Sequence, residues 1–581
     1  MQYDPIRLEL IKNGIGSVVD EMVLTIVRIA YSSILKDTMD ISSAFCDRDG
    51  RMIAQGLSLP LHLGSFPDAM AAVRAQFGDD INGGDLILLN DPYHGGMHLP
   101  DLFLFKPVFI EGSLLGYAVV VAHHNDVGGR VPGSSAADST EIFQEGLRIP
   151  PIKLMEAGVR NESVFRLIAL NTRIPDIVMG DLAAQIAACD AAERGMTELV
   201  RYYGRAELET YFQHLLDYSE REARRVIGRI PDGTYCYTDY LDDDGVTPDS
   251  PVRISVAVQV AGDEVTVDFA GTSPQVAGAI NATQSFAKSA VYFAVRAIMD
   301  SDAPNNAGFF RPIHVIAPEG SLVNPRPPAA VAARGVSGFR IIDAMFGALA
   351  QAVPDRVRAA GEGGITSYSL ASWDDMGRVN LFREVVMGAW GGGAGRDGVD
   401  GVANPAANIS NAPIELSENQ APILVERYEF VPDTGGAGQW RGGLAIERTI
   451  RFLGERGKLQ LRSDRRTHRP YGLAGGHDGQ GSANHLDDGQ GWRLLPTKFV
   501  QNLGHDWSFR HVTAGAGGYG DPLQRDAELV LRDVRDGKVS LRAAREDYGV
   551  VLTENARGLD HAATDVLRHA RSAASSPEHA A

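Results

Sequence analysis

The stretch DLFLFKPVFIEGSLLGYAVVVAHH, residues 101–124, contains two apolar runs joined by Glu-Gly-Ser. Strand-length runs around a short glycine-containing turn predict an antiparallel hairpin. With the turn centred on Gly112, the numbers of paired residues sum to about 224, so Asp101 is predicted to lie opposite His123 with Cβ atoms ~5 Å apart. Pro107 lacks an amide hydrogen and weakens this register. A slip of one residue would place His124 opposite Asp101 instead.

The loop before the hairpin supplies another candidate ligand. His98 precedes Asp101 by three residues, across Leu99-Pro100. Proline disfavours a helix here, so the two residues are expected in a bent loop that can direct both side chains toward one point. His124 should face away from His123, because side chains alternate along a strand. A His/Asp/His set is a common ligand group for Zn²⁺, Mn²⁺ or Fe²⁺, and it leaves coordination positions open for water or substrate.

The same residues also have a purely structural interpretation. Aspartate and glycine gather in turns for backbone reasons, and an H-x-x-D spacing is a much weaker metal signal than H-E-x-x-H. Spacing alone therefore leaves a metal site and an ordinary turn equally open. His62 and His94 are further candidates as ligands or as hydrogen-bond donors to ligands, although a structural role is simpler for each. Asp126, in NDVGG, is most simply a turn residue.

The remaining sequence predicts an α+β protein of several domains, since 581 residues exceed what one hydrophobic core organises. Apolar residues at helical spacing predict a long helix over residues 5–35, and good helix formers predict a helical region over 156–227. Residues 43–56 and 252–271 each contain a turn signal between strand-like runs and predict antiparallel hairpins. The expected regions are an N-terminal metal-site region with long helices (1–230), a mixed α/β middle region (231–385), a glycine-rich, β-rich region (386–525), and a C-terminal helical region with a disordered tail (526–581).

Composition and charge exclude several classes of function. Lys and Arg number 55 against 74 Asp and Glu, a formal charge of −19, and such a field disfavours nucleic acid as a partner. Three well-separated cysteines form no CxxC pair and favour a reducing compartment. The longest apolar stretch, residues 114–122, is about half of what a membrane helix needs, and the N-terminal segment has no signal-peptide pattern. We expect a cytoplasmic protein that binds neither nucleic acid nor membrane.

Seven segments, taken together and in this order, carry a family resemblance. They are KDTMDIS (36–42), NDPYHGGMHLPD (90–101), AHHNDVGG (122–129), VDFAGTSPQVAGAIN (267–281), SNAPIELSE (410–418), DTGGAGQWRGG (433–443) and TAGAGGYGDP (513–522). The set resembles the hydantoinase B/oxoprolinase family, and the resemblance extends to about residue 555. One departure is the last glycine loop, where AGAGG replaces an unbroken glycine run.

The resemblance implies a metal-containing subunit that works with an ATP-using, hydantoinase A-type partner in a heterotetramer or larger complex. Members include ATP-dependent N-methylhydantoinase, 5-oxoprolinase and caprolactamase and, more distantly, the acetone and acetophenone carboxylases. By resemblance, the metal ligands fall on Asp40, His98, Asp101 and His123. Spacing had already brought three of these together, whereas Asp40 follows from the resemblance alone.

The absence of a nucleotide loop shapes the functional hypothesis. No G-x-x-x-x-G-K-[ST] motif occurs in the chain, so ATP is expected to bind the partner. The hypothesis is that the partner phosphorylates the carbonyl oxygen of a lactam or hydantoin, and that this chain opens the ring with water activated by zinc, manganese or iron. His124 and Asp126 are candidates to accept a proton or orient the water. The alternatives are a component of an ATP-dependent ketone carboxylase and a scaffold protein with a structural metal.

Overall fold

The computed structural model describes residues 4–56, 59–407, 409–553 and 558–574. The tail expected to be disordered lies mostly outside these residues, at 575–581. The described helices are α1 (Pro5–Ile29), α2 (Ser33–Lys36), α3 (Ser65–Phe77), α4 (Glu162–Asn171), α5 (Pro175–Tyr203), α6 (Arg205–Ile227), α7 (Gln284–Ala297), α8 (Ala307–Phe310), α9 (Arg334–Leu349), α10 (Ile414–Gln420), α11 (Ala527–Arg535), α12 (Leu541–Glu546) and α13 (His561–Ala574). The described strands are β1 (Ile41–Asp47), β2 (Met52–Gln55), β3 (Leu86–Leu89), β4 (Asp101–Ile110), β5 (Ser113–His123), β6 (Ile152–Glu156), β7 (Val159–Arg160), β8 (Gly233–Leu241), β9 (Val252–Ala261), β10 (Glu264–Asp268), β11 (Ile313–Ile316), β12 (Thr366–Trp373), β13 (Val379–Val386), β14 (Ile423–Val431), β15 (Ala445–Phe452), β16 (Arg456–Arg462), β17 (Ala483–Asp487), β18 (Trp492–Leu495), β19 (Lys498–Gly504) and β20 (Ser508–Val512).

The N-terminal sheet has seven strands in the order β2-β1-β5-β4-β3-β6-β7. Every neighbouring pair in it is antiparallel. The hairpin predicted over residues 43–56 is β1–β2, and the hairpin predicted over 252–271 is β9–β10. The hairpin that carries the candidate ligands, β4–β5, lies at the centre of the sheet.

The β4–β5 register confirms the predicted pairing of Asp101 with His123. The turn itself has two residues, Glu111 and Gly112, with φ of 53° and 75°, one residue fewer than predicted. A bulge between Val108 and Phe109 of β4 adds one residue on β5. This extra residue restores the predicted register at the end of the hairpin away from the turn, where Asp101 pairs with His123. The sequence-based pairing is therefore right at the site because a short turn and a bulge compensate each other.

The N-terminal helix is shorter than predicted, because the segment predicted as helix over 5–35 breaks between α1 and α2. Asp181 of α5 explains the break: one of its carboxylate oxygens accepts the backbone N–H of Tyr31 at 2.7 Å and of Ser32 at 3.0 Å. Those two amides are thereby satisfied outside a continuous helix. The second helical region also begins later than predicted, at α4, since β6 and β7 occupy residues 152–160.

The two faces of the β4–β5 hairpin pack into different cores. Leu102, Leu104 and Val120 belong to the core that includes α1 and α5, while Phe103 and Val121 belong to the core that includes α3, α7 and α9. Because side chains alternate along a strand, Asp101 and His123 share the face that looks toward α9. The sheet thus separates α1 and α5 on one side from α7 and α9 on the other, and α7 and α9 contribute residues to the cavity beside Asp101 and His123.

The C-terminal half is rich in strands, as its glycine content predicts. In the middle of the chain, a four-stranded sheet, β11-β10-β9-β8, packs against α9. Two further sheets, β13-β12-β16-β19 and β14-β15-β20-β17-β18, share one core and form a sandwich. The first of these sheets contains strands from both sides of residue 386, where the sequence predicts a boundary between two regions. The whole architecture is α+β, as predicted. Among the described residues, the helices are too short or too polar to cross a membrane.

Candidate metal centre

Three side chains converge at the ends of β4 and β5 to form a buried cluster. One ligand atom each from His98, Asp101 and His123 lies within 4.8 Å of the other two. Asp101 bridges the imidazoles, with Oδ2 2.9 Å from His98 Nδ1 and Oδ1 3.0 Å from His123 Nδ1. All three residues are at most 3% exposed. The structure therefore brings together the His/Asp/His set that the hairpin and the bent loop predict.

A side-chain clamp holds the loop that carries His98. The Asn90 amide donates to the carbonyls of Leu99 and Leu147 and accepts from the N–H of Ile149. The backbone N–H of Asp101 donates to the His98 carbonyl at 3.1 Å, which closes the bend across Leu99-Pro100. The loop is fixed by buried hydrogen bonds, so the imidazole is held in place before any ligand binds.

The unpartnered nitrogen atoms of the cluster test whether it fits a metal. Among the described residues, both ring nitrogens of His98 and Nε2 of His123 are buried without a hydrogen bond. His98 Nδ1 is close to Asp101, but the pair is not aligned for a hydrogen bond. Leaving a buried polar atom unsatisfied costs about 1–3 kcal/mol, whereas a shared cation satisfies converging lone pairs. These residues fit a divalent metal ion with a mixed nitrogen and oxygen ligand set.

The protonation states suit metal binding. Burial lowers the pKa of His98 and of His123 to about 3. Burial opposes ionisation of Asp101, but the charge of Arg334 and the hydrogen bond with His123 Nδ1 favour it, and the pKa of that carboxyl lies well below its usual range. At neutral pH the cluster therefore presents neutral imidazoles and an ionised carboxylate, which are the states in which these groups bind metals.

Asp40 joins the cluster from the residue just before β1. Its backbone carbonyl accepts the N–H of His123 at 3.1 Å, and its Oδ2 lies 3.9 Å from His123 Nδ1. Burial, together with the charge of Asp101, raises the pKa of its carboxyl. Asp40 lines the same cavity as the three other residues, so the four residues assigned by resemblance are neighbours in the fold.

Of the two histidines with open roles, only His62 faces this cavity. Its Nδ1 is hydrogen-bonded to Ser42 Oγ at 2.8 Å, and burial lowers its pKa to about 4. His94 is half exposed and bonds through Nδ1 to Asp91 at 2.6 Å. His62 can therefore contact a group bound in the cavity, and His94 has a local structural partner.

His124 and Asp126 lie away from the cavity lining. His124 Nε2 contacts Gln185 of α5 at 2.8 Å, on the opposite side of the sheet from His123 as strand alternation predicts. Asp126 ties the following loop together, because its carboxylate accepts from the N–H of Gly133 and from the Arg173 guanidinium. Their contacts connect the end of β5 to its surroundings.

Sequence reasoning missed the positively charged part of the site. The cavity has a volume of about 40 Å³, room on the order of three water molecules. Arg334 at the start of α9, Arg383 on β13 and Arg462 at the end of β16 line it. Arg334 donates to Asp101 Oδ2 at 2.6 Å across 233 residues of sequence. No local motif marks these arginines, because only tertiary packing brings them to the candidate metal ligands.

Fold and site define a multi-domain α+β protein with a buried candidate metal centre at the end of an antiparallel hairpin. The sequence family described as hydantoinase B/oxoprolinase matches residues 4–522. The chain belongs to this family.

Individual relatives agree with that assignment. The chain is 35% identical over 589 residues to the B component of a putative D-/L-hydantoinase of Pseudomonas sp. (strain NS671), covering 98% of each protein. It is 34% identical to the beta chain of the caprolactamase of Pseudomonas jessenii, covering 98% of this chain and 99% of that one. The crystal structure of ATP-dependent caprolactamase from that organism superposes with a TM-score of 0.91 at 32% identity, covering 98% of this chain and 100% of the other. A nucleotide-free acetone carboxylase superposes with a TM-score of 0.89 over 99% of this chain and 84% of the other, but at 18% identity this shows a shared fold alone.

Proposed function

We propose that this chain is the metal-containing component of an ATP-dependent cyclic amide hydrolase, acting on a lactam or hydantoin whose carbonyl oxygen has been phosphorylated. The observation that carries the proposal is the buried His98, Asp101 and His123 cluster, whose unpartnered ring nitrogens adjoin a cavity. The relatives named as components of a hydantoinase and of a caprolactamase support the substrate class.

The chemistry explains why a partner protein is needed. A lactam is a poor electrophile because amide resonance stabilises it, and phosphorylation of its carbonyl oxygen removes that resonance. The chain carries no P-loop motif, so the proposal assigns ATP to a hydantoinase A-type partner in a heterotetramer or larger complex. The two relatives are each named as one component of a multi-subunit enzyme, which supports such a partner. The three free cysteines support a cytoplasmic location.

The proposed reaction consumes two water molecules. Water adds to the phosphorylated ring carbon, the carbon–nitrogen bond breaks, and the nitrogen leaves with a proton as the open-chain amine. The product of this step is an acyl phosphate. A second water then releases the carboxylate and inorganic phosphate. With phosphate transfer from ATP to the lactam, the overall products are the open-chain acid, ADP and phosphate.

The side chains have separate proposed roles. Asp40, His98, Asp101 and His123 would hold zinc, manganese or iron, and such an ion supplies Lewis acidity that lowers the pKa of nearby water toward neutrality. Arg334 keeps Asp101 ionised through its 2.6 Å contact. For His124 and Asp126, the contacts favour a positioning role over direct proton transfer, since both anchor the end of β5 to the protein around it.

One observation favours a second candidate, an ATP-dependent ketone carboxylase, namely the fold shared with acetone carboxylase. The two reactions differ in a simple requirement. A carboxylase needs bicarbonate and forms a carbon–carbon bond, whereas the hydrolase needs only water and ATP.

The test is purification of the chain with its hydantoinase A-type partner, followed by metal analysis and an ATP-dependent panel of hydantoins, 5-oxoproline and larger lactams. We expect ring opening with equimolar release of ADP and phosphate, independent of bicarbonate, and no ATP hydrolysis by the isolated chain. ATP hydrolysis at full rate by the isolated chain, or bicarbonate-dependent product formation, would refute the proposal.

A further inference from the structure

The cavity wall beside the metal ligands carries two buried arginines that lack an acidic partner. Arg383 and Arg462 are 8% and 5% exposed. Among the described residues, neither has a carboxylate within ion-pair distance. Arg383 is held by the Gly133 carbonyl and Ser135 Oγ, and Arg462 by the Ala332 carbonyl at 2.7 Å. Removing one partner of a buried charge pair is strongly destabilising, so two unpaired guanidiniums at one cavity call for an external anion.

Unused donors remain on these side chains. The Nε–H groups of Arg334, Arg383 and Arg462 are buried and have no acceptor among the described residues, as is true of nine other arginines there. What distinguishes Arg383 and Arg462 is therefore the missing carboxylate, and their free Nε–H groups are donors that a ligand in the cavity can use. Burial lowers the pKa of Arg383 to about 10, and burial with the charges of Arg383 and Arg334 lowers the pKa of Arg462 well below its usual range. A bound anion would relieve this repulsion and favour the charged form of both guanidiniums. Guanidinium donors arranged in a fork match the oxygens of a phosphoryl group better than a single charge does.

The charge of the cavity wall points the same way. Three guanidiniums face two carboxylates there, so the wall carries a net charge of +1 with the imidazoles neutral. A divalent ion on the ligand cluster raises the net charge further. In addition, α9 begins at Arg334 with no side-chain cap, and Arg334 and Gly335 both line the cavity. The N–H of Arg334 already donates to the Val331 carbonyl at 3.0 Å, so this helix end would favour an anion chiefly through its dipole.

From these observations we infer that Arg383 and Arg462, with the N-terminal end of α9, form a subsite for the phosphoryl group of the activated substrate, adjacent to the metal ligands. The inference deepens the proposed function and rests on it for the identity of the substrate. The cavity of about 40 Å³ is too small for a whole phosphorylated lactam, so the substrate would enter as the cavity walls part. The subsite would then hold the same phosphoryl group in the phosphorylated lactam, in the acyl phosphate and in the released phosphate ion. Retention of the acyl phosphate between the two hydrolytic steps follows from this single anchor.

The first test uses inorganic phosphate and the full chain loaded with Mn²⁺, without ATP or cyclic amide. Paramagnetic Mn²⁺ shortens the ³¹P relaxation time of a phosphate bound next to it. We expect saturable relaxation enhancement in the wild-type chain. Arg383→Met and Arg462→Met should each weaken phosphate binding about 10- to 100-fold, the range for losing a charge-assisted hydrogen bond. Arg378→Met is the matched control, because Arg378 lies on the same β12–β13 hairpin but is exposed and paired with Asp374.

The outcomes separate the inference from the proposed function. The subsite is refuted if the wild-type chain shows no ³¹P relaxation enhancement, or if both methionine variants show the full wild-type enhancement. Either result would stand regardless of which substrate the assembled complex hydrolyses. If a methionine variant fails to fold or to load Mn²⁺, the corresponding lysine variant is used, because lysine keeps the positive charge but lacks the forked guanidinium donors. We expect this variant to bind phosphate more weakly than the wild type. Unchanged phosphate binding would overturn the inference.

The second test distinguishes the substrate's phosphoryl group from free phosphate as the ligand. In the assembled complex, loss of either arginine should uncouple the reaction, so that ADP forms in excess over opened ring. Full coupling in variants that no longer bind phosphate would refute the assignment to the activated substrate.

Discussion

Replacing His98 by alanine separates metal binding from folding. His98 is 1% exposed and neither of its ring nitrogens has a hydrogen bond among the described residues. Loss of the ring opens on the order of 60 Å³, which costs about 1.5 kcal/mol at ~24 cal/mol per Å³. The same change removes the buried Nε2, an unsatisfied atom that costs about 1–3 kcal/mol, together with an Nδ1 that lies 2.9 Å from Asp101. We therefore expect the metal-free variant to fold with little net loss of unfolding free energy.

The metal-bound state should respond differently. Bound metal at 100 times its Kd stabilises the wild type by about 2.7 kcal/mol. Losing a ligand should weaken binding at least about 100-fold, since even partners of ligands contribute 10- to 100-fold. At the same metal concentration the variant then gains only about 0.4 kcal/mol. Thermal unfolding with and without zinc or manganese, with metal content after gel filtration, measures both quantities.

His94→Ala is the matched control, since His94 lies four residues earlier in the same loop but is half exposed and bonded to Asp91. It should keep the metal and the metal-dependent rise in melting temperature. A His98→Ala chain that retains one metal ion per chain and the full rise in melting temperature would refute the assignment of His98 as a ligand. Collapse of the metal-free variant would instead indicate a structural role for the ring.

Three further changes test the site and its supports. Asp101→Asn removes the charge that pairs with buried Arg334. It should lower the unfolding free energy of the metal-free chain by about 3–5 kcal/mol, as measured by denaturant unfolding. A loss below about 1 kcal/mol would contradict the pairing. Gly116→Ala, at the bulge of β5, places a Cβ 2.2 Å from a backbone oxygen of β1 and should destabilise by about 1–3 kcal/mol, while Gly16→Ala, with open space around its Cβ position, should not. Burial raises the pKa of Glu145 from 4.5 to about 8, so its protonated form stabilises the fold below pH 4.5 and that contribution is lost as pH rises through 8. Glu145→Gln should therefore flatten the pH profile of unfolding free energy over this interval by at most about 1.4 kcal/mol per pH unit, and parallel profiles for variant and wild type would count against the shift.

The hairpin shows how far sequence reasoning reaches. Alternation and a turn signal were enough to pair Asp101 with His123 and to send His124 to the opposite face, because strand geometry is local and has a period of two. The turn length was wrong by one residue, since a bulge is set by packing that sequence alone does not show. Gly116 is the residue that permits close approach to β1 there.

Long-range contacts account for what was not predicted. The helix break after Ile29 depends on Asp181, about 150 residues away. Arg334, Arg383 and Arg462 reach the site from a helix and two strands of the C-terminal half, and no spacing rule links them to His98. Asp40 was available only through family resemblance, because nothing in its neighbourhood marks an aspartate before a strand as a ligand.

The near-complete burial of the ligand cluster also sets a timescale. Three of the four proposed ligands are at most 3% exposed, and the Asp40 side chain is 14% exposed. An ion held by them can leave only when the surrounding walls part, so its release should follow the rate of local opening rather than the strength of the competing chelator. Stripping by a small chelator should then proceed at a rate that stops rising with chelator concentration. Exchange of one metal for another should show the same limit.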